Sequence, residues 1–372
     1  MKTQQICSTI LAVAASIAGT QAQDFRSPEV HDDGSVTVRL RSKNARDLQV
    51  SIGGRKYSLA KEAGDVWSAT TDPLPAGIHD YSFNLDGTRI IDPSNRSVKK
   101  WFTLASMVEV PGNPPLLTEF QDVPHGVLHR HVYASSSVGH SRPVIVYTPP
   151  GYDSSSDVTY PLVVLLHGFG DDESAWTEVG RAHLIADNLI AQKNIKPCLI
   201  AMPYGHPVPP PFGRRSERPS DYGFRNHDLY ENDIIKDLLP FVQENFRVKN
   251  DRAARSIVGL SMGGGHAIHV GLRNTDKFSS IGAFSAAAPV AETGDLSATY
   301  PALYGENPAA NTLRNFWIPI GKKDFLLDRN ESFTQLLKTQ SINHKYTKTE
   351  GSHSWDVWRK YLPEFLEMVV GK

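Results

Sequence analysis

Over residues 23–108, apolar and polar side chains alternate in short runs, as in Val36–Leu40 and Leu48–Ile52. Turn-forming pairs such as Asp33-Gly34 separate these runs. Alternation with a period of two is typical of strands that bury one face. The pattern therefore predicts a small β-sandwich. This part of the chain shows no convincing set of nucleophile, base and acid, so we expect catalysis elsewhere.

Over residues 126–372 the pattern changes, and continuous apolar runs alternate with stretches of helical period. Such runs are typical of parallel strands that helices cover on both faces. This pattern predicts an α/β fold with a mostly parallel sheet. The predicted strands are Pro143–Tyr147, Pro161–Leu166, Cys198–Met202, Ser256–Leu260, Ser279–Ser285, Phe316–Ile320 and His344–Thr349. The predicted helices are Ala182–Gln192, Asp233–Phe246, Gly263–Leu272, Ser332–Thr339 and Trp355–Val370.

Two segments break these patterns. Residues 109–125 are rich in proline and predict a semi-rigid linker between the two regions. Residues 204–228 directly follow a predicted strand, show no regular period and predict a long loop. Long loops in compact domains are usually functional, and loops after parallel strands surround the binding crevice. We therefore expect a wall or lid of the pocket here, with a tolerated insertion as the alternative.

Residues 1–22 have the pattern of a secretory signal peptide, with Lys2 near the start, the apolar run Ile10–Ala18 and small residues at the exit. The alternative is a buried N-terminal helix. The run is too short to span a bilayer, so we expect a protein secreted to the outside or the periplasm, without a membrane segment. Cys7 would leave with the signal peptide, and Cys198 would be the remaining thiol.

Charge and composition narrow the function classes. The 372 residues carry 39 Lys and Arg against 40 Asp and Glu, so no charge surplus favours nucleic acid or an anionic membrane. No group of His, Cys and carboxylate residues has the spacing of metal ligands. We therefore expect a neutral or compact substrate and neither a metal nor another cofactor.

The segment Gly259-Leu260-Ser261-Met262-Gly263 fits a nucleophile elbow, in which a serine occupies a strained turn between a strand and a helix. The five-residue pattern is common on its own. Here a predicted strand precedes it and a helix-compatible stretch follows it, as the motif requires. Ser261 is therefore the predicted nucleophile.

A serine hydroxyl needs a base to accept its proton, and the base needs a carboxylate to orient it. His353 lies between the last predicted strand and the final helix, and Asp324 follows the predicted strand Phe316–Ile320. The chain order Ser, Asp, His is that of α/β-hydrolases. We predict His353 as base and Asp324 as acid, with Asp328 and Glu331 as alternatives for the acid.

The tetrahedral intermediate requires backbone N–H donors for its oxyanion. The amide of Met262, next to the nucleophile, is one predicted donor. The segment His167-Gly168-Phe169-Gly170 follows a predicted strand and resembles the His-Gly motif of esterases. Its Phe169 amide is the second predicted donor, and a plain glycine turn is the alternative.

Four segments together resemble carbohydrate esterase family 1, which contains feruloyl esterases and acetyl xylan esterases. They are Leu165–Trp176, Gly259–Gly264, Gly321–Asp324 and Gly351–Arg359, and the similarity covers residues 124–372. The resemblance implies an α/β-hydrolase fold. It also implies that the Gly-x-x-Asp and Gly-x-His motifs complete the triad, which favours Asp324 over Asp328. We expect His167, Gly168 and Trp355 to border the substrate.

The N-terminal region resembles the immunoglobulin-like carbohydrate-binding module family 48, which is often fused to such esterases. The matching segments are Asp33–Arg39, Val66–Ser68, Pro75–Phe83 and Asp92-Pro93. Trp67 and Trp101 are candidate platforms for sugar stacking, although burial in the sandwich core is the favoured interpretation.

These observations predict a serine esterase that acts on acylated plant cell-wall polysaccharide and releases a hydroxycinnamate such as ferulate. Its partners would be feruloylated or acetylated xylan and arabinoxylan oligosaccharides. The alternatives are an acetyl xylan esterase, a siderophore esterase of the enterobactin type, and a non-catalytic carbohydrate-binding protein with an inactive hydrolase fold.

Overall fold

The structure is a computed structural model that describes residues 25–208, 222–289 and 295–371. The predicted signal peptide lies outside the described residues. None of the helices within the described ranges has the length and apolar character that crossing a membrane requires.

Two antiparallel sheets make up the N-terminal region. Their strands are β1 Glu29–Val30, β2 Val36–Arg41, β3 Leu48–Ile52, β4 Arg55–Ser58, β5 Ala60–Lys61, β6 Val66–Thr70, β7 Gly77–Leu85, β8 Thr88–Ile90, β9 Val98–Lys99 and β10 Ala105–Val110. One sheet has the order β1-β2-β6-β5, and the other has the order β4-β3-β7-β10-β9 with β8 paired to β7. Alternate side chains, including Val38, Val50 and Phe83, form one apolar core between the sheets. The alternating pattern therefore correctly predicted a sandwich.

A single eight-stranded sheet forms the centre of the C-terminal region. Its strands are β11 Val127–Ser135, β12 His140–Thr148, β13 Leu162–Leu166, β14 Leu199–Pro203, β15 Arg255–Leu260, β16 Ser280–Phe284, β17 Asn315–Gly321 and β18 Lys345–Thr349. The spatial order is β11-β12-β14-β13-β15-β16-β17-β18. Strand β12 runs antiparallel to both of its neighbours, and the other pairs are parallel. All seven predicted strands are present, and the edge strand β11 is not among those seven.

Helices cover both faces of this sheet. They are α1 Ala175–Glu178, α2 Ala182–Ala191, α3 Tyr222–Asn232, a π-helical turn Asp233–Leu238, α4 Leu239–Asn245, α5 Met262–Arg273, α6 Leu296–Thr299, α7 Leu327–Thr339 and α8 Trp355–Val370. Short 3-10 turns occupy Ala63–Asp65, Arg252–Ala254, Pro301–Leu303 and Ala309–Thr312.

The loop predicted over residues 204–228 ends earlier in the structure than the prediction placed it. Helix α3 already begins at Tyr222, because the prolines of this segment stop before it and Tyr222–Asn232 contains none. Residues 209–221, which make up the middle of the predicted loop, lie outside the described residues.

Strand β13 shows why continuous apolar runs predicted the central sheet. Its five residues are all buried, with Val164 packed on one face of the sheet and Val163 and Leu165 on the other. A strand of this kind needs apolar side chains at every position. Cys198, just before β14, is a free thiol with no exposed surface, and burial raises its pKa to about 12.

The sandwich and the central sheet region share part of one apolar core. Ile78 and Met107 of the sandwich belong to the cluster that contains Trp176 and Trp355 of the helical layer. The linker is also fixed in place, because the Asn188 side chain on α2 donates to the carbonyls of Leu117 and Glu119 at 2.9 and 3.0 Å. The two regions are therefore joined by packing as well as by the chain.

Candidate active site

A sharp turn between β15 and α5 carries Ser261. This serine has φ 54° and ψ −115°, a backbone conformation that costs on the order of 1–3 kcal/mol for a residue with a side chain. A Cβ on Gly259 would lie 2.5 Å from the backbone of Gly263, and a Cβ on Gly263 would lie 2.5 Å from the carbonyl oxygen of His167. Both glycines of the motif are therefore required by close backbone approach.

The structure brings the three predicted triad side chains together. His353 Nε2 lies 2.9 Å from Ser261 Oγ, and His353 Nδ1 lies 2.9 and 3.0 Å from the two carboxylate oxygens of Asp324. The Asp324 side chain has no exposed surface, and the Leu326 amide donates to its Oδ1 at 2.9 Å. A proton on Nδ1, held by the carboxylate, leaves the Nε2 lone pair directed at the serine hydroxyl.

The two alternative acids occupy other positions. Asp328 lies in the first turn of α7, and Glu331 accepts a hydrogen bond from Lys348 Nζ at 3.0 Å. Asp324 is therefore the carboxylate that contacts the imidazole of His353.

The predicted oxyanion donors lie at the ends of two adjacent strands. Met262 is the first residue of α5, where helix N–H groups have no partner within the helix. The peptide that carries the Phe169 N–H is fixed at its other end, because the carbonyl of Gly168 accepts from His167 Nδ1 at 2.8 Å and from the Asp171 amide at 3.3 Å. The carbonyl and the N–H of a planar trans peptide point in opposite directions, so these bonds set the direction of the Phe169 N–H.

His167 supports this loop, and its side chain does not line the cavity, contrary to the prediction that it borders the substrate. The ring is buried and lies outside the cavity lining, and its Nε2 accepts from the Gly205 amide at 2.7 Å. Burial lowers its pKa to about 4, so the ring is neutral with its proton on Nδ1. Gly168 and Trp355, the other two predicted contacts, do line the cavity.

A cavity of about 830 Å³ opens at Ser261 and His353, and residues of both regions line it. Leu74, His79 and Trp101 lie on the sandwich side, and Phe169, Phe325 and Trp355 lie on the hydrolase side. Trp101 is 48% exposed, so the expectation that it is buried in the sandwich core is wrong. Trp67 is partly buried and its Nε1 donates to the carbonyl of Ser42 at 2.9 Å.

Two aromatic residues beside the base were not assigned to the site from sequence. The Phe325 ring is 77% exposed and its centroid lies 4.4 Å from that of His353. Trp358 approaches the same imidazole edge-on, with a centroid distance of 4.9 Å. The sequence offered one indication that Phe325 belongs to the site, which is its position directly after the predicted acid.

One group of metal-ligand residues occurs among the described residues, away from the triad. Candidate ligand atoms of Asp228, Glu231 and His269 lie within 4.8 Å of one another. The Glu231 carboxylate already accepts from Arg273 Nε at 2.6 Å, and this guanidinium would oppose a second cation on the same carboxylate. We assign no metal function to this group.

The fold and the site together define an α/β-hydrolase whose serine lies in a Ser-His-Asp arrangement. The Esterase family model matches residues 135–368 of the chain. The chain therefore belongs to the Esterase family.

Two curated proteins are similar to this chain in sequence. The chain is 29% identical over 349 residues to an endo-1,4-beta-xylanase/feruloyl esterase from Xylanibacter ruminicola, a match that covers 91% of this chain and 45% of that protein. It is 25% identical over 162 residues to an acetyl esterase from Caldicellulosiruptor saccharolyticus, over 36% of this chain and 61% of that protein. The chain thus spans less than two thirds of the length of each relative.

Two solved structures share the fold. The enterobactin esterase from Shigella flexneri has a TM-score of 0.62 and 20% identity, covering 90% of this chain and 92% of that one. A CE1 ferulic acid esterase from Anaeromyces mucronatus has a TM-score of 0.56 and 20% identity, covering 68% of this chain and 93% of that one.

Proposed function

We propose that this protein is a serine feruloyl esterase that releases hydroxycinnamate from acylated arabinoxylan. The observation that carries the proposal is the hydrogen-bonded series Ser261, His353 and Asp324, which opens on a large cavity with aromatic walls.

In the proposed reaction, Ser261 Oγ attacks the ester carbonyl carbon while His353 Nε2 takes the hydroxyl proton. The amides of Met262 and Phe169 donate to the resulting oxyanion, each worth about 3–4 kcal/mol of transition-state stabilisation. His353 then protonates the departing sugar oxygen, which leaves an acyl-serine. Water attacks this ester by the same route, and Asp324 stabilises the imidazolium in both halves.

The dimensions and lining of the cavity support an aromatic acyl group. A cavity of about 830 Å³ lies within the range of about 300–1,000 Å³ that is usual for sites of larger ligands. The rings of Phe169, Phe325 and Trp101 border it and offer faces and edges for a planar phenyl group. An acetyl group would fill little of this space. The xylanase/feruloyl esterase relative, which matches 91% of this chain, supports the same choice.

Comparison of purified-enzyme turnover on four substrates tests the acyl assignment. They are methyl ferulate, feruloylated arabinoxylan oligosaccharides, acetylated xylan and a catechol trilactone of the enterobactin type. We expect the highest kcat/KM on the two feruloyl esters. A preference for acetylated xylan or for the trilactone would contradict the assignment and favour the corresponding alternative.

Ser261→Ala tests the serine mechanism on all four substrates. We expect kcat to fall by at least about 10⁴-fold, because the nucleophile is lost. Full turnover by this variant would contradict the mechanism. Binding to insoluble xylan by the unmodified protein, without hydrolysis of any ester, would instead indicate a non-catalytic carbohydrate-binding protein.

We further propose that residues 1–22 direct export and that the sandwich, as its resemblance to family 48 modules implies, binds glycan. N-terminal sequencing of the protein recovered from its native host tests the first point, with a mature chain that begins after Ala22 as the expected result. Retention of xylan by the Ser261→Ala protein tests the second.

A further inference from the structure

The segment between β9 and β10 of the sandwich touches the oxyanion loop of the hydrolase region. Trp101 Nε1 donates to the carbonyl oxygen of Phe169 at 2.8 Å. Next to it, the Phe102 ring lies with its centroid 5.0 Å from that of Phe169. Lys100 Nζ lies 3.6 Å from Asp172, further along the same loop. The contact therefore involves a hydrogen bond, ring packing and an ion pair.

This approach is close enough to restrict the sequence of the loop. Gly170 has φ +87°, and a Cβ there would lie 2.7 Å from both Trp101 Nε1 and Phe102 Cε2. Real Cβ atoms do not come so near to other heavy atoms, so a side chain at position 170 would have to displace the rings of Trp101 and Phe102, and it would also be strained at this positive φ.

The bond from Trp101 completes the fixation of two consecutive peptides. The peptide before the Phe169 Cα is held by the bonds to the Gly168 carbonyl described above. In the peptide after it, the Phe169 carbonyl accepts from Trp101 and the Gly170 N–H lies 3.4 Å from His206 Nε2. Both dihedral angles at Phe169 are thereby constrained, and with them the position of the Phe169 N–H.

We propose that Trp101 is a positioning residue for the oxyanion hole, so that the sandwich supplies part of the catalytic geometry of the hydrolase region. This inference rests on the proposed serine esterase function. Trp101 does not touch the reacting atoms in this role. It acts through the Phe169 carbonyl, and losing its N–H lets the Phe169 amide move away from the oxyanion. Displacements on the order of 1 Å at such a donor cost about 10²-fold in rate, and smaller displacements cost less.

The test compares two single changes of the same kind in the full-length protein. Trp101→Phe keeps an aromatic ring and removes the N–H donor. Trp67→Phe is the matched control, since Trp67 Nε1 also donates to a backbone carbonyl, that of Ser42 within the sandwich, and Trp67 lies outside the cavity lining. The substrate is 4-nitrophenyl acetate, which has no sugar, so a loss of glycan stacking cannot lower its turnover.

For Trp101→Phe we expect kcat to fall about ten-fold with KM within about two-fold of the unmodified enzyme, as for an interaction made in the transition state. Affinity for a trifluoromethyl ketone, which forms a tetrahedral adduct with the serine, should weaken by the same factor. Affinity for the product ferulate should not change. Trp67→Phe should match the unmodified enzyme in all three measurements.

Trp101→Gln separates the hydrogen bond from ring packing, because it keeps an N–H donor without a ring. We expect its kcat to lie closer to that of the unmodified enzyme than the kcat of Trp101→Phe does. Rates are normalised to active sites titrated with a phosphonate, so partial unfolding does not mimic the effect.

Several results would overturn the inference. They are an unchanged kcat in Trp101→Phe, a change in KM alone, an equal loss in Trp67→Phe, and a Trp101→Gln enzyme slower than Trp101→Phe. If Ser261→Ala is inactive and Trp101→Phe is fully active, only the positioning role fails. If Ser261→Ala is active, the serine esterase function itself fails.

Discussion

Asp324 contacts the imidazole of His353 through both of its carboxylate oxygens, at 2.9 and 3.0 Å. A buried carboxylate in this position fixes which ring nitrogen carries the proton and stabilises the imidazolium that forms during the reaction. The backbone donor from Leu326 satisfies one of its oxygens and keeps it in place. The chemistry of the base therefore depends on this carboxylate.

Replacement of this carboxylate by an amide tests its role. We expect Asp324→Asn to lower kcat for methyl ferulate by about 10⁴-fold, because an amide can donate to Nδ1 and favour the wrong tautomer of the imidazole. Asp328→Asn is the matched control and should stay within about two-fold of the unmodified enzyme. If Asp328→Asn were inactive and Asp324→Asn active, the acid of the triad would be Asp328 on α7.

For two site residues, the sequence does not determine the contacts that place them in the site. Trp101 lies in a segment of the sandwich whose exposure depends on how the two regions dock, and alternation along one strand carries no information about docking. Phe325 is an exposed ring next to an acid, and its contact with His353 depends on the approach of two loops. The triad could be predicted because each member lies in a motif at the end of a strand.

At the scale of elements, apolar runs account for most of the predicted strands, although the polar edge strand β18 was predicted as well. The strands β13 to β17 lie inside the sheet and consist mostly of apolar residues, and all were predicted. Strand β11 is an edge strand with an exposed or partly exposed side chain at most positions, so its apolar signal is weak. The prolines between residues 207 and 219 concealed the start of α3.

The junction of β15 and α5 depends on the absence of side chains at its glycines. Gly263→Ala would place a Cβ 2.5 Å from the carbonyl oxygen of His167 and 2.7 Å from that of Leu166. We expect the free energy of unfolding to fall by about 1–3 kcal/mol, as for other overpacked positions, together with a loss of turnover as Ser261 shifts. Urea unfolding and methyl ferulate hydrolysis measure the two effects. A variant with unchanged stability and activity would show that the helix can move away at no cost.

At the scale of the whole molecule, the apolar cluster around Trp176 and Trp355 also contains Ile78 and Met107 from the sandwich. Met107 is 3% exposed. Shared burial of this kind couples the stability of the two regions, because neither can unfold without exposing part of the core of the other.

Met107→Ala tests this coupling. We expect it to lower the free energy of unfolding by about 2–5 kcal/mol, and to lower the temperature at which esterase activity is lost, although Met107 does not line the cavity. The comparison is Val50→Ala, because Val50 belongs to the sandwich core and not to the cluster that the two regions share. If Met107→Ala leaves the loss of activity at its original temperature, the two regions unfold independently.

Buried histidines distributed over the hydrolase region predict loss of stability in acid. Burial lowers the pKa of His167 and His183 to about 4 and that of His206 and His227 to about 3. Between pH 6.5 and 4 the unfolded chain therefore binds protons that the folded chain does not, and stability falls by about 1.4 kcal/mol per pH unit for each net proton. Burial raises the pKa of Asp171 to about 7 and also raises the pKa values of Glu109, Glu173 and Asp233, and these carboxyl groups act in the opposite direction.

Urea unfolding at pH 7 and pH 5 measures this effect, and we expect the lower free energy of unfolding at pH 5. His183→Gln should reduce the difference between the two pH values, since it removes one of the titrating groups away from the triad. Equal stability at both pH values would show that these imidazoles take up protons in the folded protein as well.

Cys198 gives the molecule an internal reporter of opening. Its sulfur is shielded beneath the central sheet, and burial that raises its pKa to about 12 keeps it as the unreactive thiol. A maleimide added to the protein without residues 1–22 would therefore label Cys198 at the rate at which the sheet transiently separates. Mass spectrometry of the labelled fraction over time would follow that separation in native buffer, without a denaturant or an introduced probe.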